Sequence, residues 1–312
     1  MGQHRRWLIH GSDLTSKSVR KAKKKYEKYD KTRHQFRKLR KFLKENKFLV
    51  NNEKPAAGDK QHVKYWRKRF KLFSRIREKP IYMTSELWFS VTPERIAKFL
   101  ATFVSACLPG ATSVLDVFSG GGGNSIHFAN HFQKVYCVDS NLEHLYCTAR
   151  NAQSYGVCDR IWLYKHKWGR KAARHFKKLK VDCIFGSPPW GGPEYINTET
   201  YDLENSLIPY GIHRLLSSFK SVSDNIILFL PKNSDLDQLN RATIDVMGAN
   251  SKCKVIYMKE DGYPKGIMCM WGEAFTSYEE EGTAEQLNSD ADEDIAETTE
   301  KENIDINYDI DG

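Results

Sequence analysis

The sequence lacks the long apolar runs that membrane proteins and secretory signals carry. No stretch of about 18 apolar residues occurs in the 312-residue chain, which excludes a membrane-spanning helix. Its first residues are basic and polar, so a secretory leader is not expected. The length exceeds the roughly 100–200 residues of one typical domain, which predicts a core domain with appendages.

The cysteines lack the number and spacing of a disulfide framework or a zinc site. They are odd in number and scattered, without a Cys-x-x-Cys or a mixed His/Cys cluster: Cys107, Cys137, Cys147, Cys158, Cys183, Cys253 and Cys269. This usage predicts reduced intracellular thiols and no bound metal.

Charge is distributed unevenly along the chain. Residues 1–71 hold 24 Lys and Arg against 6 Asp and Glu, whereas residues 279–312 hold 14 acidic residues against a single lysine. The excess of cations favours a polyanionic partner, and we predict that residues 1–60 form a basic, partly helical RNA-binding arm. Residues 277–312 are predicted to be an acidic, disordered tail, either solubilising or regulatory.

Two basic segments with helical periodicity precede the predicted core. A narrow apolar stripe runs through residues 17–47, and from Gln61 onward aromatic residues alternate with Lys and Arg. The second segment either binds RNA by stacking and charge or packs on the next domain with its basic face in solvent. Next, Thr92 is predicted to be the N-cap and Pro93 the first residue of a helix that runs to about Cys107.

From residue 111 to residue 276 the sequence alternates between strand and helix patterns. Strands are predicted at 113–118, 134–138, 161–164, 181–185, 225–230 and 253–259, and helices at 142–155, 170–180, 204–219 and 235–246. An apolar stretch at 267–275 completes the pattern. This alternation predicts an α/β fold with a doubly wound, Rossmann-like parallel sheet.

A glycine-rich loop, Gly120-Gly121-Gly122-Gly123, follows the first strand of this core. No Gly-Lys-Ser/Thr follows it, so it is not a phosphate-binding P-loop, and Ser125 stands where a dinucleotide motif needs glycine. Asp116, inside the strand, would repel a pyrophosphate but attract a cation. Asp139, at the tip of the next strand, is spaced to accept from ribose hydroxyls. Together they favour S-adenosylmethionine, and hence a class I methyltransferase fold with a basic helical N-terminal extension.

A rigid turn, Ser187-Pro188-Pro189-Trp190, follows the predicted strand 181–185. Consecutive prolines fix φ and remove two backbone donors, which leaves carbonyl oxygens free to accept hydrogen bonds. A planar ring could lie on Trp190 with its exocyclic amine toward Ser187 and Pro188; alternatively, Trp190 fills a core. Methyl transfer to such an amine depends on placement more than on base catalysis.

Several motifs, in order and spacing, resemble the trimethylguanosine synthase family over about residues 62–275. They are Lys64-Tyr65-Trp66, Leu72-Phe73-Ser74-Arg75, Trp88-Phe89-Ser90-Val91-Thr92-Pro93-Glu94, Asp116-x-Phe118-x-Gly120-x-Gly122-Gly123-Asn124, Ser187-Pro188-Pro189-Trp190-Gly191-Gly192-Pro193-x-Tyr195 and Phe229-Leu230-Pro231-Lys232-Asn233. The resemblance is to the compact fungal form. It implies two methyl transfers from S-adenosylmethionine to the 7-methylguanosine cap of small nuclear and nucleolar RNAs, giving the 2,2,7-trimethylguanosine cap.

The resemblance also implies roles for individual residues. Trp190 would stack on the 7-methylguanine, with Ser187 and Pro188 facing its N2. The implied cofactor-binding residues are Phe73, Glu86, Thr92, Asp116, Gly120 and Asp139. The implied ligands of the cap triphosphate are Lys64, Asn151, Tyr195 and Lys232.

Other expectations concern the surroundings of the site. Residues 61–110 would form a helical subdomain that completes the cap and cofactor site, beside a methyltransferase core at 111–276. We expect a nuclear, and more narrowly nucleolar, monomer that meets capped RNA and the proteins of its ribonucleoprotein particles. The family often has Arg where Lys232 stands, and residues 76–87 follow no recognised pattern.

Two alternatives stay open at this point. One is a different exocyclic-amine methyltransferase of the N6-adenine type, although Ser187 stands where such enzymes more usually have Asp or Asn. The other is a non-catalytic RNA-binding scaffold on the same fold, which the intact cofactor motif disfavours.

Overall fold

The computed structural model describes residues 49–50 and 60–278. The predicted helix at 17–47 and nearly all of the predicted arm and tail lie outside these residues. Within the described ranges, no helix is long and apolar enough to cross a membrane.

A seven-stranded sheet forms the centre of the molecule. A separate two-stranded ribbon pairs β1 (Leu49–Val50) with β2 (Ile81–Tyr82). The large sheet contains β3 (Ser113–Val117), β4 (Lys134–Asp139), β5 (Ile161–Lys165), β6 (Cys183–Gly186), β7 (Ile226–Leu230), β8 (Lys254–Glu260) and β9 (Tyr263–Trp271). Its order is β5-β4-β3-β6-β7-β9-β8, with the reversal of strand order beside β3 that marks a doubly wound sheet.

The sheet is mixed, whereas the alternation predicted a parallel one. β9 runs antiparallel to both of its neighbours, β7 and β8. Asp261 and Gly262, both at positive φ, join β8 to β9. Asp-Gly at the two central positions of a tight turn closes a hairpin, so the apolar stretch at 267–275 belongs to its returning strand.

The described residues also contain ten α-helices. They are α1 (Lys60–Arg67), α2 (Arg69–Leu72), α3 (Leu87–Ser90), α4 (Glu94–Cys107), α5 (Gly123–His131), α6 (Leu142–Ser154), α7 (Arg170–Lys177), α8 (Ile212–Lys220), α9 (Leu236–Met247) and α10 (Glu273–Thr276). The helix predicted from residue 204 begins at Ile212. Pro209 lacks a backbone N–H, and at Gly211 a Cβ would lie 2.2 Å from the Glu204 carbonyl oxygen, so the chain turns sharply before α8.

Two hydrophobic layers lie on opposite faces of the sheet. One contains buried side chains of α4, α5 and α6, and the other contains those of α7, α8 and α9. Along β3, Val114 belongs to the first layer, and Leu115 and Val117 belong to the second. Because side chains alternate along a strand, Asp116 points toward the α4–α6 side.

The residues before α4 are fixed to the core through a buried carboxylate. Glu94 is 4% exposed and accepts hydrogen bonds from the Ser74 backbone N–H, from the Ser74 hydroxyl at 2.9 Å and from the Tyr155 hydroxyl at 3.1 Å. These bonds hold the turn after α2 against α4 and α6.

Candidate active site

The two predicted ligand loops leave the sheet side by side. Val117, the last residue of β3, pairs with Val138 of β4 and with Gly186 of β6. The glycine loop, Asp139 and the Ser-Pro-Pro-Trp turn therefore meet at the carboxyl edge of three adjacent parallel strands. Ligands of doubly wound sheets bind at this edge, beside the reversal of strand order.

Positive backbone angles shape the glycine loop. Gly120 has φ 52° and Gly122 has φ 83°, a region that costs L-residues about 1–2 kcal/mol. A Cβ at Gly122 would lie 2.8 Å from Cγ2 of Thr148. The Thr148 hydroxyl donates to the Gly120 carbonyl oxygen at 2.7 Å. The loop thus lies closely against α6, which allows no larger side chain at Gly122.

Asn151, predicted to bind a triphosphate, instead organises the glycine loop. Its side chain is fully buried and accepts from the Tyr82 N–H at 2.8 Å. Its amide nitrogen donates to the carbonyl oxygens of Tyr82 and Gly121, each at 2.9 Å. All of these partners are backbone groups, so this arrangement leaves the amide no exposed face for a ligand.

Asp116 is a buried acid whose side chain has one hydrogen-bond partner within the described part of the chain. It is 1% exposed and accepts a short hydrogen bond from the Ser125 hydroxyl. Burial raises its pKa to about 7, opposed by the Ser125 hydrogen bond and reinforced by the charge of Asp139. An acid in this position is close to balanced between its neutral and charged forms, and a neighbouring cation would favour the charged one.

Asp139 and Glu86 are joined through a histidine. Asp139 accepts from the Gly120 N–H at 3.0 Å and the Asn141 N–H at 2.7 Å. His144 lies with Nδ1 3.5 Å from Asp139 and Nε2 3.2 Å from Glu86. Burial lowers the pKa of His144, but the hydrogen bond and charge of Asp139 and the charge of Glu86 overcome this and raise it. Glu86 is thus brought to the cofactor edge, and His144 is a site residue that the sequence motifs missed.

Thr92 lies beside the loop but does not cap a helix. α4 begins one residue later than predicted, at Glu94, with Pro93 at the cap position. The Thr92 hydroxyl accepts from the Asn124 side-chain amide at 2.9 Å. Phe73 is only 3% exposed and packs edge-on against Tyr155 with ring centroids 6.2 Å apart. The structure therefore places Phe73 in the core, which offers a cofactor almost no surface.

Unsatisfied polar atoms surround the glycine loop. The Thr84 hydroxyl, the Ser119 hydroxyl and the Asn124 side-chain carbonyl oxygen are buried and have no hydrogen-bond partner among residues 49–50 and 60–278. Buried polar groups are rarely left unpaired unless a ligand or water completes them. Together with the raised pKa of Asp116, they fit a polar, cationic cofactor such as S-adenosylmethionine.

The Ser-Pro-Pro-Trp turn forms the other half of the site. Ser187 is half-buried and Pro188 buried, and no described residue donates a hydrogen bond to their carbonyl oxygens. Trp190 is also half-buried; its indole N–H donates to the Phe229 carbonyl oxygen at 3.3 Å. Its ring meets Tyr195 edge-on at 5.2 Å, so Trp190 is held firmly without being enclosed.

The residues predicted to bind a triphosphate are only partly brought together. Tyr195 is half-buried. Burial raises its pKa, and the charge of the nearby Tyr65 raises it further. Asn233 donates to the Tyr195 carbonyl oxygen at 3.3 Å, beside the exposed Lys232. The side chain of Lys64 is outside the described part of the structure. Tyr65 and Asn233 belong to the sequence motifs but were predicted no role, since only tertiary packing brings them to Tyr195.

Comparisons with known proteins identify the family. Residues 111–274 match the family described as RNA cap guanine-N2 methyltransferase. The chain is 57% identical over 249 residues to the trimethylguanosine synthase of Saccharomyces cerevisiae, which covers 80% of this chain and 79% of that protein. It is 31% identical to the Schizosaccharomyces pombe trimethylguanosine synthase over 66% of this chain and 84% of that protein.

A solved structure shares the fold at low sequence identity. A Porphyromonas gingivalis W83 crystal structure assigned as a methyltransferase aligns with a TM-score of 0.51 at 12% identity, covering 68% of this chain and 49% of that one. The chain spans about half the length of that structure. This likeness supports the doubly wound fold alone.

Proposed function

The chain belongs to the trimethylguanosine synthase family of RNA cap guanine-N2 methyltransferases, and from this premise we propose which residues perform each part of the reaction. It is an S-adenosylmethionine-dependent enzyme that methylates the exocyclic N2 of the cap guanosine. The observation that carries the proposal is the half-buried Trp190, held in the turn after β6, the strand that pairs with β3 and its glycine loop.

The cofactor is proposed to lie over the glycine loop. S-adenosylmethionine, when bound, supplies an electrophilic methyl group on a positively charged sulfur. Asp116 favours that positive charge when ionised, and Asp139 accepts from ribose hydroxyls. Gly120 gives this loop its positive φ and lets it pack on Leu87, where a Cβ would lie 3.1 Å from Cδ2. Thr92 and Glu86 support this side by fixing Asn124 and His144, respectively.

The acceptor base is proposed to stack on Trp190. A 7-methylguanine carries a positive charge, and a desolvated cation on a tryptophan face gains about 2 kcal/mol. Ser187 and Pro188 offer carbonyl oxygens toward N2, which orient the amine and stabilise the positive charge that develops on it. Placement of nitrogen and methyl carbon in line supplies several kcal/mol more. Because no residue need form a covalent bond, Ser187 acts through its acceptor groups.

The cap triphosphate is proposed to bind at Tyr195, Lys232 and Lys64. The exposed Lys232 ammonium is available to phosphate oxygens, as a point charge rather than as a bidentate donor. We further propose that the substrates are small nuclear and nucleolar RNAs, met in the nucleus and nucleolus within their ribonucleoprotein particles, and that the enzyme acts as a monomer.

Methyl transfer to free 7-methylguanosine triphosphate, with GTP measured alongside, tests this proposal. We expect transfer to the methylated nucleotide only. Trp190→Ala should lower the catalytic efficiency about 30-fold, which corresponds to the cation–π contribution, and Trp190→Phe should retain a larger share. Trp162→Ala, a half-buried tryptophan on β5, is the matched control, and melting temperatures verify folding. Equal transfer to GTP, or full activity in Trp190→Ala, would contradict the assignment.

A further inference from the structure

A surface of one charge covers α7 and the turns on either side of it. Residues 165–180 contain no Asp or Glu, and every exposed residue among them is cationic. These eight residues, which we call the α7 basic surface, are Lys165, Lys167, Arg170, Lys171, Arg174, Lys177, Lys178 and Lys180. The predictions from sequence placed RNA binding on the N-terminal arm and left this segment without a role.

Helical periodicity gathers these cations on one face. Ala172, Ala173 and Phe176 are buried against the sheet. The exposed positions Arg170 and Arg174 are one turn apart, and Lys177 and Lys178 continue the same row. Because residues three and four apart are neighbours on a helix, the cations form a continuous stripe.

The stripe has no counter-charge within the part of the chain that the structure describes. None of its members forms an ion pair with a described acid. Like charges at these spacings destabilise a helix. Arg170 and Lys171 also occupy the first turn, which contains no acid, and cations there oppose the helix dipole. Local stability disfavours this arrangement, so an anionic ligand is the simplest physical reason for it.

The position of the stripe indicates which anion would meet it. Lys165 of β5 is the strand neighbour of Asp139 of β4 at the carboxyl edge of the sheet, where the candidate site lies. From there α7 leads back to the amino end of β6, so the basic surface starts beside the site and runs down the flank of the domain. The α7 basic surface and the candidate site therefore share the carboxyl edge of the sheet.

A stacked arginine links this surface to the substrate loop. The Arg214 guanidinium lies 3.8 Å from the ring centre of Tyr210, and the Tyr210 hydroxyl donates to the Trp168 carbonyl oxygen at 3.4 Å. Trp168 lies two residues before the start of α7 at Arg170. The loop between β6 and α8 is in turn tied to the Ser-Pro-Pro-Trp turn, since Ile208 N–H donates to the Pro189 carbonyl oxygen at 3.3 Å.

We propose that the α7 basic surface binds the phosphodiester backbone of the substrate RNA beyond its cap. This inference rests on the proposed function, because that function places the cap at the adjoining edge. Contacts to phosphate carry no base specificity and weaken with salt. The surface therefore contributes affinity for the RNA body of any sequence, and the cap site selects the nucleotide that is methylated.

The test compares two triple variants of the full chain that remove equal charge. The test variant is Lys171→Ala/Arg174→Ala/Lys178→Ala. The control variant is Lys134→Ala/Arg241→Ala/Lys252→Ala, whose residues are exposed cations on other surfaces. Fluorescence anisotropy gives the Kd of a capped RNA of about 20 nucleotides over a range of salt. Methyl transfer to free 7-methylguanosine triphosphate, which has no RNA body, is the reference reaction.

We expect the test variant to bind capped RNA more weakly than the control variant. Removing three contacts to single-stranded RNA should lower the slope of log Kd against log salt by about 2. Transfer to free 7-methylguanosine triphosphate should stay at the wild-type rate. Equal slopes in the two variants would overturn the proposal. So would tighter RNA binding in the test variant, which would identify the acidic residues 279–312 as the occupant.

Failure of the proposed function gives a different result. The two variants could differ in salt slope as expected while the wild-type protein transfers no methyl group to 7-methylguanosine triphosphate. That result would count against the cap assignment and in favour of RNA binding by the α7 basic surface. A further arm varies the RNA length: the variant Lys177→Ala/Lys178→Ala/Lys180→Ala, at the far end, should affect long RNAs only. An equal effect on the binding of a capped dinucleotide would contradict the proposal that the RNA runs along the α7 basic surface away from the site.

Discussion

The cofactor half of the site and the substrate half are built differently. On the cofactor side, Asn151 and Asp139 hold the glycine loop through backbone hydrogen bonds, and the carboxyl of Asp116 is buried. On the substrate side, Ser187 and Trp190 are half-buried, and Lys232 is exposed. The first half is assembled before a ligand arrives, whereas the second presents unoccupied acceptors and a free charge. Substitutions should therefore affect folding in the first half and kinetics in the second.

The largest effect is expected at Asn151. Asn151→Ala would leave the Tyr82 N–H and the carbonyl oxygens of Tyr82 and Gly121 without partners, at about 1–3 kcal/mol for each buried group. We expect a loss of roughly 3 kcal/mol or more in the free energy of unfolding, measured by urea titration. Asn205→Ala removes an exposed side-chain bond to Asp202 and should change it by less than about 0.5 kcal/mol. Similar losses in both variants would show that the buried bonds of Asn151 contribute no more to folding than an exposed side-chain bond does.

A pair of glycines sharpens the comparison directly. Gly122 and Gly191 have nearly the same φ, 83° and 82°, but a Cβ at Gly122 meets Thr148 and one at Gly191 meets nothing within 4 Å. Both Ala substitutions carry the left-handed strain of about 1–2 kcal/mol. Gly122→Ala should be less stable than Gly191→Ala and should also weaken S-adenosylmethionine binding, measured by calorimetry.

The double variant Gly122→Ala/Thr148→Ser tests the steric cause. Serine keeps the hydroxyl that bonds to the Gly120 carbonyl oxygen and removes the methyl group that Cβ would contact. We expect partial recovery of stability relative to Gly122→Ala. No recovery would mean that the backbone angle, and not the contact with α6, decides the residue at this position.

A smaller effect, on cofactor binding, should depend on pH. The pKa of Asp116 is raised to about 7. Below pH 7 a bound cation must therefore displace a proton from Asp116 before it can interact with the negative carboxylate. The Kd of S-adenosylmethionine should rise as the pH falls from 8 to 6, by at most about tenfold per unit. Asp116→Asn should flatten this profile. Ser125→Ala removes a bond that lowers the pKa and should shift the profile to higher pH.

The same titration has an opposite sign for stability without the cofactor. Folding raises the pKa of Asp116, so its favourable contribution is complete below the ordinary pKa of an aspartate and is lost as the pH rises to about 7. Thermal melting of the unliganded protein should therefore show Asp116→Asn gaining stability relative to the wild type as the pH increases across this range. A constant difference between the two proteins would contradict a raised pKa.

The smallest effect is expected at Lys232. Because this side chain is exposed, its contact with phosphate is worth about 1 kcal/mol or less, so Lys232→Ala should raise KM for 7-methylguanosine triphosphate roughly fivefold with little change in kcat. Lys232→Arg should restore it. Lys134→Ala, at the opposite edge of the sheet, serves as the control. A large fall in kcat would show that Lys232 acts on the reacting base instead.

Much of the fold could be predicted because the pattern is local. Strand and helix alternation, the acid before the glycines and the proline-fixed turn each depend on neighbouring residues, and they placed Asp116, Asp139 and Trp190 at one sheet edge. The start of α8 was missed because the contact of Gly211 with Glu204 is tertiary. The reversed direction of β9 was missed because the Asp-Gly turn before it was not recognised.

The roles of polar side chains were harder to predict. Asn151 and Thr92 have chemistry suited to a ligand, and nothing in their neighbours along the chain reveals that backbone of β2 or Asn124 occupies them. His144 gave no signal because its partners, Asp139 and Glu86, come from separate segments. When the role of a side chain depends on a partner from a distant segment of the chain, the spacing of residues in the sequence does not reveal it.

The central strands set how long the site keeps its geometry. Every residue of β3, β6 and β7 is buried, and these strands carry both ligand loops. Their amide hydrogens should exchange with deuterated solvent only when the whole domain opens, because no smaller opening exposes them. The spacing between the two loops therefore lasts as long as the folded state, and each turnover begins from the same alignment of donor and acceptor.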